Sequence, residues 1–215
     1  MKYPCLILDH DDTVVQSTVQ IHYPAFVHTL GWLRPQVTPL SCVAFQEACA
    51  HPGLVALYEQ TYGFTKEEMA LELEDWRNFV KEKIPDAFAG LGEVLTAYTR
   101  AGGKIFVVSH SDEALIRRDY LHHFGFEPNG VYDLTYPNNK PHPAPLLDVM
   151  KREQLTPNEL LVVDDLPVGL QMAQSAGVDF AYAGRCENAP SIDKTMRQES
   201  LVCLDSPFAL RELLQ

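Results

Sequence analysis

Pro4-Cys5-Leu6-Ile7-Leu8-Asp9-His10-Asp11-Asp12-Thr13-Val14-Val15 is the stretch on which the reading of this chain turns. An apolar run that stops abruptly at polar residues predicts a short strand buried on both faces. Asp9, Asp11 and Asp12 follow it almost without interruption. Carboxylates packed this closely repel one another, and a divalent cation or a shared proton relieves the repulsion. Chemistry is expected at this strand end.

Beyond Val15 the character of the chain changes. From about Gln16 to Ala89 helical periodicity replaces strand-like runs. Ser41 to Tyr62 reads as two helices broken at His51-Pro52-Gly53, because proline and glycine interrupt a helix interior. Thr65-Lys-Glu-Glu68 is a capping box, with Met69, Leu73, Trp76 and Val80 behind it at helical spacing as an expected apolar stripe. After residue 90, strands and helices alternate. Lys104–Val108, Val131–Tyr136, Leu160–Val163, Val178–Ala183 and Leu201–Leu204 read as strands. Helices are expected over Leu91–Arg100, from Ser111 or Asp112 to Gly125, from Asn139-Lys140-Pro141, up to Ala176-Gly177, and from Ser206-Pro207. Alternation with apolar, non-alternating strands predicts an α/β fold, a Rossmann-like parallel sheet with helices on both faces. The expected division is a core of residues 1–15 and 90–215 and a small all-helical insert over 16–89.

Bulk properties narrow the function. The chain has 215 residues, a net charge of −12 and 46% apolar residues. With no Lys/Arg-rich face, nucleic acid is an unsuitable partner. No apolar run approaches the length of a membrane span. Cys5, Cys42, Cys49, Cys186 and Cys203 are scattered and odd in number, which points to reduced thiols in a cytoplasmic protein. No signal-peptide pattern precedes the first strand.

Three strands end in polar clusters: Asp9 and Asp11, then Ser109, then Asp164-Asp165. In an open parallel sheet these ends share one rim, where ligands bind. Lys140 sits at a loop–helix junction able to reach the same rim. Carboxylates, a hydroxyl and one lysine suit magnesium bridging to a phosphate.

In these residues the chain resembles the haloacid dehalogenase superfamily of aspartate-nucleophile phosphohydrolases. Its DxDGT signature is matched by Asp9-His-Asp11-Asp12-Thr13, its strand-closing Ser or Thr by Ser109, its lysine by Lys140-Pro141, and its acidic pair by Asp164-Asp165 with Gly169 and Ala176-Gly177. The four occur in family order, and the insert resembles the helical cap of the phosphoglycolate-phosphatase and β-phosphoglucomutase branch. The resemblance implies a magnesium-dependent phosphatase of a small phosphorylated metabolite, acting as a monomer or weak dimer. It implies Asp9 as nucleophile and Asp11 as acid and base, its pKa raised by neighbouring carboxylates. It places Mg²⁺ on Asp9, the Asp11 carbonyl and Asp165, with Asp164 beside them or holding Lys140. Ser109 and Lys140 would bind the phosphoryl oxygens, joined by the backbone around Asp11, Asp12 and His110. Asp12 replaces the usual glycine and His110 an Asn or Gly, which keeps open a weakly active or non-catalytic relative. A phosphomutase is the other alternative; relatives of that type carry a His near His22, one residue off in register. His10, His110 and His142 are expected at the surface or in turns, Trp76 in the cap's core, and Arg34, His51, Arg77 and Lys81 are candidates for specificity.

Overall fold

The computed structural model describes residues 2–184 and 189–214; Cys186 lies outside them. Strands β1 (Cys5–Leu8), β2 (Lys104–Val108), β3 (Gly130–Tyr132), β4 (Leu160–Asp164), β5 (Asp179–Tyr182) and β6 (Val202–Cys203) form one parallel sheet in the order β3-β2-β1-β4-β5-β6. The order reverses between β1 and β4, which pair from Cys5↔Leu160 to Leu8↔Val163. That reversal opens a crevice at the carboxyl ends of these two strands. Asp9 and Asp164 stand on either side of it.

Between β1 and β2 the chain makes a helical excursion. A π-helical turn over Thr18–His22 leads into α1 (Tyr23–Leu33). Next come α2 (Cys42–Ala48), α3 (Leu54–Ala56) and α4 (Lys66–Glu82). The break expected at His51-Pro52-Gly53 is present: His51 is extended at φ −159° and Gly53 takes a φ of +106°. The capping box at Thr65 is formed in both directions. Phe26, Leu30, Phe45, Leu57, Tyr58 and Phe64 give this layer its own apolar cluster, with the Phe26 and Phe45 rings 4.8 Å apart. Arg34 ties it together by donating to both Glu68 oxygens, at 2.6 and 2.8 Å, and to the Tyr62 and Gly63 carbonyls.

Adjacent strand residues point to opposite sides of the sheet, and both sides are covered, which is why the strands show no polar alternation. Leu6, Leu8, Ile105, Val107, Leu161 and Val163 face a cluster shared with α5 (Leu91–Arg100), α6 (Glu113–Phe124) and the last helix. Cys5, Ile7, Phe106, Val108, Leu160 and Val162 face the other, built on α7 (Ala144–Glu153), α8 (Pro167–Ala176) and α9 (Pro190–Glu199). The terminal helix α10 (Pro207–Leu214) closes the first cluster with Leu210 and Leu214. β3 is shorter than Val131–Tyr136, because the Asp133 side chain accepts from the Thr135 amide and hydroxyl and turns the chain away. α7 begins at Ala144, later than expected, after a loop that leaves Lys140 outside the helix. Among the described residues no helix is long and apolar enough to cross a membrane.

Candidate active site

The acidic residues at the strand ends fall into separate roles by geometry. Asp9, Asp164 and Asp165 are buried, and one oxygen from each lies within 4.8 Å of the others. Lys140, carried by the loop before α7, reaches between two of them. Its Nζ donates to Asp9 Oδ1 at 2.6 Å and to Asp164 Oδ2 at 2.8 Å. The loop is held by Asn139, whose amide donates to the carbonyls of Ser109 and Asp133 and whose oxygen accepts from the Lys140 amide. Lys140 is the only buried Lys or Arg among the described residues.

One ammonium among three buried carboxylates leaves the nest short of positive charge. Burial pushes Asp9 up to about 7, the Lys140 ammonium opposing it and the charges of Asp164 and Asp11 adding to it. Asp165 rises well above the ordinary carboxylate range through burial, then through the charges of Asp164, Asp9 and Asp12. Carboxylates that favour a proton this strongly are suited to a cation, and an all-oxygen donor set is what a hard divalent ion takes.

Asp164 is locked into its role by its neighbours. Its Oδ1 accepts from the Leu166 amide at 2.8 Å. A Cβ built on Gly169 in the first turn of α8 would lie 2.2 Å from Asp164 Oδ2. Gly169→Ala is therefore expected to displace Asp164 from Lys140, lowering stability by about 1–3 kcal/mol despite alanine's better helix propensity. Thermal unfolding alongside wild type measures this, and an unchanged melting temperature would contradict it.

Asp11 is held apart from the nest. Its Oδ2 accepts from Ser111 Oγ at 2.6 Å and from Ser109 Oγ at 3.4 Å, and its Oδ1 lies 3.1 Å from His22 Nε2. This overturns the expectation that neighbouring carboxylates raise its pKa. Burial does push it up, but the His22 charge and hydrogen bond, with the charge of His10 and the Ser111 hydroxyl, hold it well below the usual range. His22 moves the opposite way: burial lowers it, and the charges and hydrogen bond of Asp11, with Asp12 and Asp9, raise it. Trp76 on α4 donates from Nε1 to His22 Nδ1 at 2.9 Å. Indole is a donor only, so in the neutral ring Nδ1 offers its lone pair and the proton sits on Nε2. In the neutral and the charged ring alike, Nε2 aims a proton at the Asp11 carboxylate.

Asp12 occupies a left-handed turn, φ +56°, a conformation glycine adopts freely and aspartate tolerates. Its Oδ1 accepts from the Thr18 amide at 3.1 Å, so the carboxylate ties the turn to the start of the helical layer. Thr13 donates to Asp165 at 3.5 Å. His110 is exposed and lies 3.1 Å from the Lys140 carbonyl. His10 is buried, not at the surface, 3.1 Å from Asp119.

Asp9, Asp11, Asp12, Ser109, Lys140, Asp164 and Asp165 are thus brought to one rim, with His110 at its edge. Of the specificity candidates, Arg34 is engaged by Glu68, Arg77 pairs with Asp112 at 3.5 Å, and His51 and Lys81 are exposed. Trp76 is not in the cap's core and Leu73 is 41% exposed. Ser111 and Trp76 are neighbours of the rim that motif reading passed over, and His22, met there only as a near-match to a mutase histidine, contacts Asp11.

Residues 6–183 match the family profile of haloacid dehalogenase-like hydrolases. The chain belongs to that family. Among solved structures, this haloacid dehalogenase-like chain superposes on a predicted phosphoglycolate phosphatase from Haemophilus somnus 129PT with a TM-score of 0.82 at 16% identity, covering 100% of this chain and 99% of that one. A haloacid dehalogenase-like family protein from Streptococcus pneumoniae gives 0.78 at 16%, again over 100% and 99%. The complex of CbbY from Rhodobacter sphaeroides with phosphate gives 0.71 at 16%, over 97% and 96%. At these identities the likeness is one of fold. No curated protein matches the sequence.

Proposed function

We propose that this haloacid dehalogenase-like hydrolase is a Mg²⁺-dependent phosphatase of a small phosphorylated metabolite. The observation that carries the reading is Lys140 Nζ bridging Asp9 and Asp164 inside a nest of three buried carboxylates. Asp9, Asp164 and Asp165, with the Asp11 carbonyl, would hold the ion, which when bound neutralises charge on the phosphoryl oxygens. In the first step an Asp9 oxygen forms a bond to phosphorus as the ester P–O bond breaks. The leaving alkoxide takes its proton from Asp11, which carries it in the substrate complex, where the phosphoryl charge raises its pKa, and is left as the carboxylate. In the second step Asp11 takes a proton from water as the water oxygen attacks phosphorus, and the Asp9–phosphorus bond breaks. Ser109 and Lys140 bind the equatorial oxygens and stabilise charge that grows in the transition state. Release of free phosphate from p-nitrophenyl phosphate and a panel of metabolite esters, with and without Mg²⁺, tests this; no release from any of them would sink it.

The nest makes a separate prediction about stability. A carboxyl whose folded-state pKa lies above its unfolded value of 3.8 binds its proton more tightly when folded. Metal-free protein should then lose stability as pH rises from about 4 toward about 7, the folded-state value of Asp9. Saturating Mg²⁺ should raise the melting temperature by roughly 5–10 °C at pH 8. At pH 5, where protons compete, the rise should be much smaller. Differential scanning fluorimetry at the two pH values checks it, and an equal shift at both would contradict it.

A further inference from the structure

The end of α4 is gripped from the catalytic half by one arginine. Arg118 on α6 donates from Nη1 to the Val80 carbonyl at 2.8 Å and from Nη2 to the Lys83 carbonyl at 3.1 Å. Both carbonyls belong to the last turn of the helix, which leaves acceptors without helical partners and favours a cation. Further along α6, His123 Nε2 lies 2.8 Å from the Pro85 carbonyl. The guanidinium is itself anchored: Asp119 Oδ1 accepts from Nε at 2.8 Å and lies 2.7 Å from Nη2. Asp119 is 2% exposed, and its other oxygen lies 3.1 Å from His10 Nε2. His10 stands between Asp9 and Asp11.

α4 therefore meets the acidic turn along two routes. One runs from Trp76 through His22 to the Asp11 carboxylate. The other runs from the helix end through Arg118 and Asp119 to His10. Members of both routes, His10, Asp11, His22, Val80 and Asp119, line a common cavity of about 10 Å³, which has room for about one water. Trp76 and Val80 are one turn apart on the same face of the helix. Where the helix end is held thus decides where the indole meets His22.

Resting on the phosphatase reading above, we infer that Arg118, anchored by Asp119, is a positioning residue for the proton donor Asp11. By fixing the end of α4 it sets Trp76 against His22, and His22 against the Asp11 carboxylate. Loss of the clamp impairs the step that uses the Asp11 proton and spares phosphate binding by Ser109 and Lys140.

The test compares kcat/KM, which reads the reaction up to phosphorylation of Asp9, for p-nitrophenyl phosphate and benzyl phosphate with Mg²⁺. Nitrophenolate leaves without a proton, whereas the benzyl alkoxide needs one from Asp11. Arg118→Ala should lower kcat/KM roughly 10–100-fold for benzyl phosphate and less than about threefold for p-nitrophenyl phosphate. Arg118→Lys keeps the charge beside Asp119 but loses the fork to two carbonyls, and its loss should be intermediate. It also carries the test if the alanine variant fails to fold. A second readout is independent of turnover. The chain has two tryptophans, so in a Trp32→Phe background Trp76 alone emits. Its emission should shift to the red in Arg118→Ala, as the indole leaves His22 for water. Equal losses for the two esters, or an unmoved emission in folded variants, overturns the inference and leaves the phosphatase reading intact. No phosphate from either ester in wild type overturns the phosphatase reading, and the emission alone then decides whether Arg118 seats α4.

Discussion

Asp9→Asn is expected to reduce phosphate release by roughly 10⁴-fold or more, the scale seen when a covalent nucleophile is removed. The amide cannot attack phosphorus, so no phosphoenzyme should form. The more telling half of the prediction concerns folding. Asp9 is one of three buried carboxylates around a single ammonium. Replacing it with a neutral isostere relieves repulsion with Asp164 and Asp11 while leaving an oxygen for Lys140. The metal-free variant should therefore melt at the same temperature as wild type, or higher, at pH 8. A structural aspartate would behave in the opposite way, losing stability with little effect on turnover. Activity retained in Asp9→Asn would overturn the mechanism, and a large drop in melting temperature would show that Asp9 is held for the fold.

Lys140→Ala should produce the largest loss of stability. Lys140 is 5% exposed and its folded state favours the proton: burial lowers its pKa, but the charges and hydrogen bonds of Asp164 and Asp9 raise it further. Breaking a buried pair by removing one partner costs about 3–5 kcal/mol, because the remaining charge is left uncompensated. Here two direct partners and Asp165 are left. In a chain of 215 residues that corresponds to a melting temperature lower by about 10 °C. The loss should shrink as pH falls from 8 to 5, since the orphaned carboxylates then take up protons. Turnover should fall by about 10²–10³-fold, as when a preorganised charge stabiliser is removed. A variant as stable as wild type in metal-free buffer at pH 8 would contradict the charge shortage on which the metal reading rests.

Much of the rim was legible because each part of it is local in the chain. Asp9, Ser109 and Asp164 each follow a run of apolar strand residues directly, and a parallel sheet gathers such ends without further information. Lys140 was legible by motif order alone; its reach between Asp9 and Asp164 depends on the Asn139 loop. What escaped was set across the seam between layers. His22 and Asp11 are close in sequence, but their contact is completed by Trp76, 54 residues from His22. Of the periodic stripe on α4, Met69 packs on the layer's apolar cluster and Val80 is buried, but Leu73 is exposed and Trp76 turns to His22, because periodicity does not show which polar group a side chain turns to. The fall in the Asp11 pKa was hidden for the same reason: its carboxylate neighbours are visible in the sequence, its imidazole neighbour only in space.

The stems of the helical layer have a wider consequence. Val15 bridges Ala87, the Gln16 amide donates to the Asp86 carbonyl at 2.9 Å, and the Phe88 amide donates to the Val14 carbonyl at 3.2 Å. The long excursion thus leaves and rejoins the core through one short zipped neck. Lengthening a loop whose ends are already paired adds only a slowly growing entropic cost. Evolution could exchange, enlarge or trim everything beyond that neck without disturbing β1 or its register with β2 and β4. The acidic rim of the core and the helical layer above it are in this sense separately inheritable, joined at a hinge only a few residues wide.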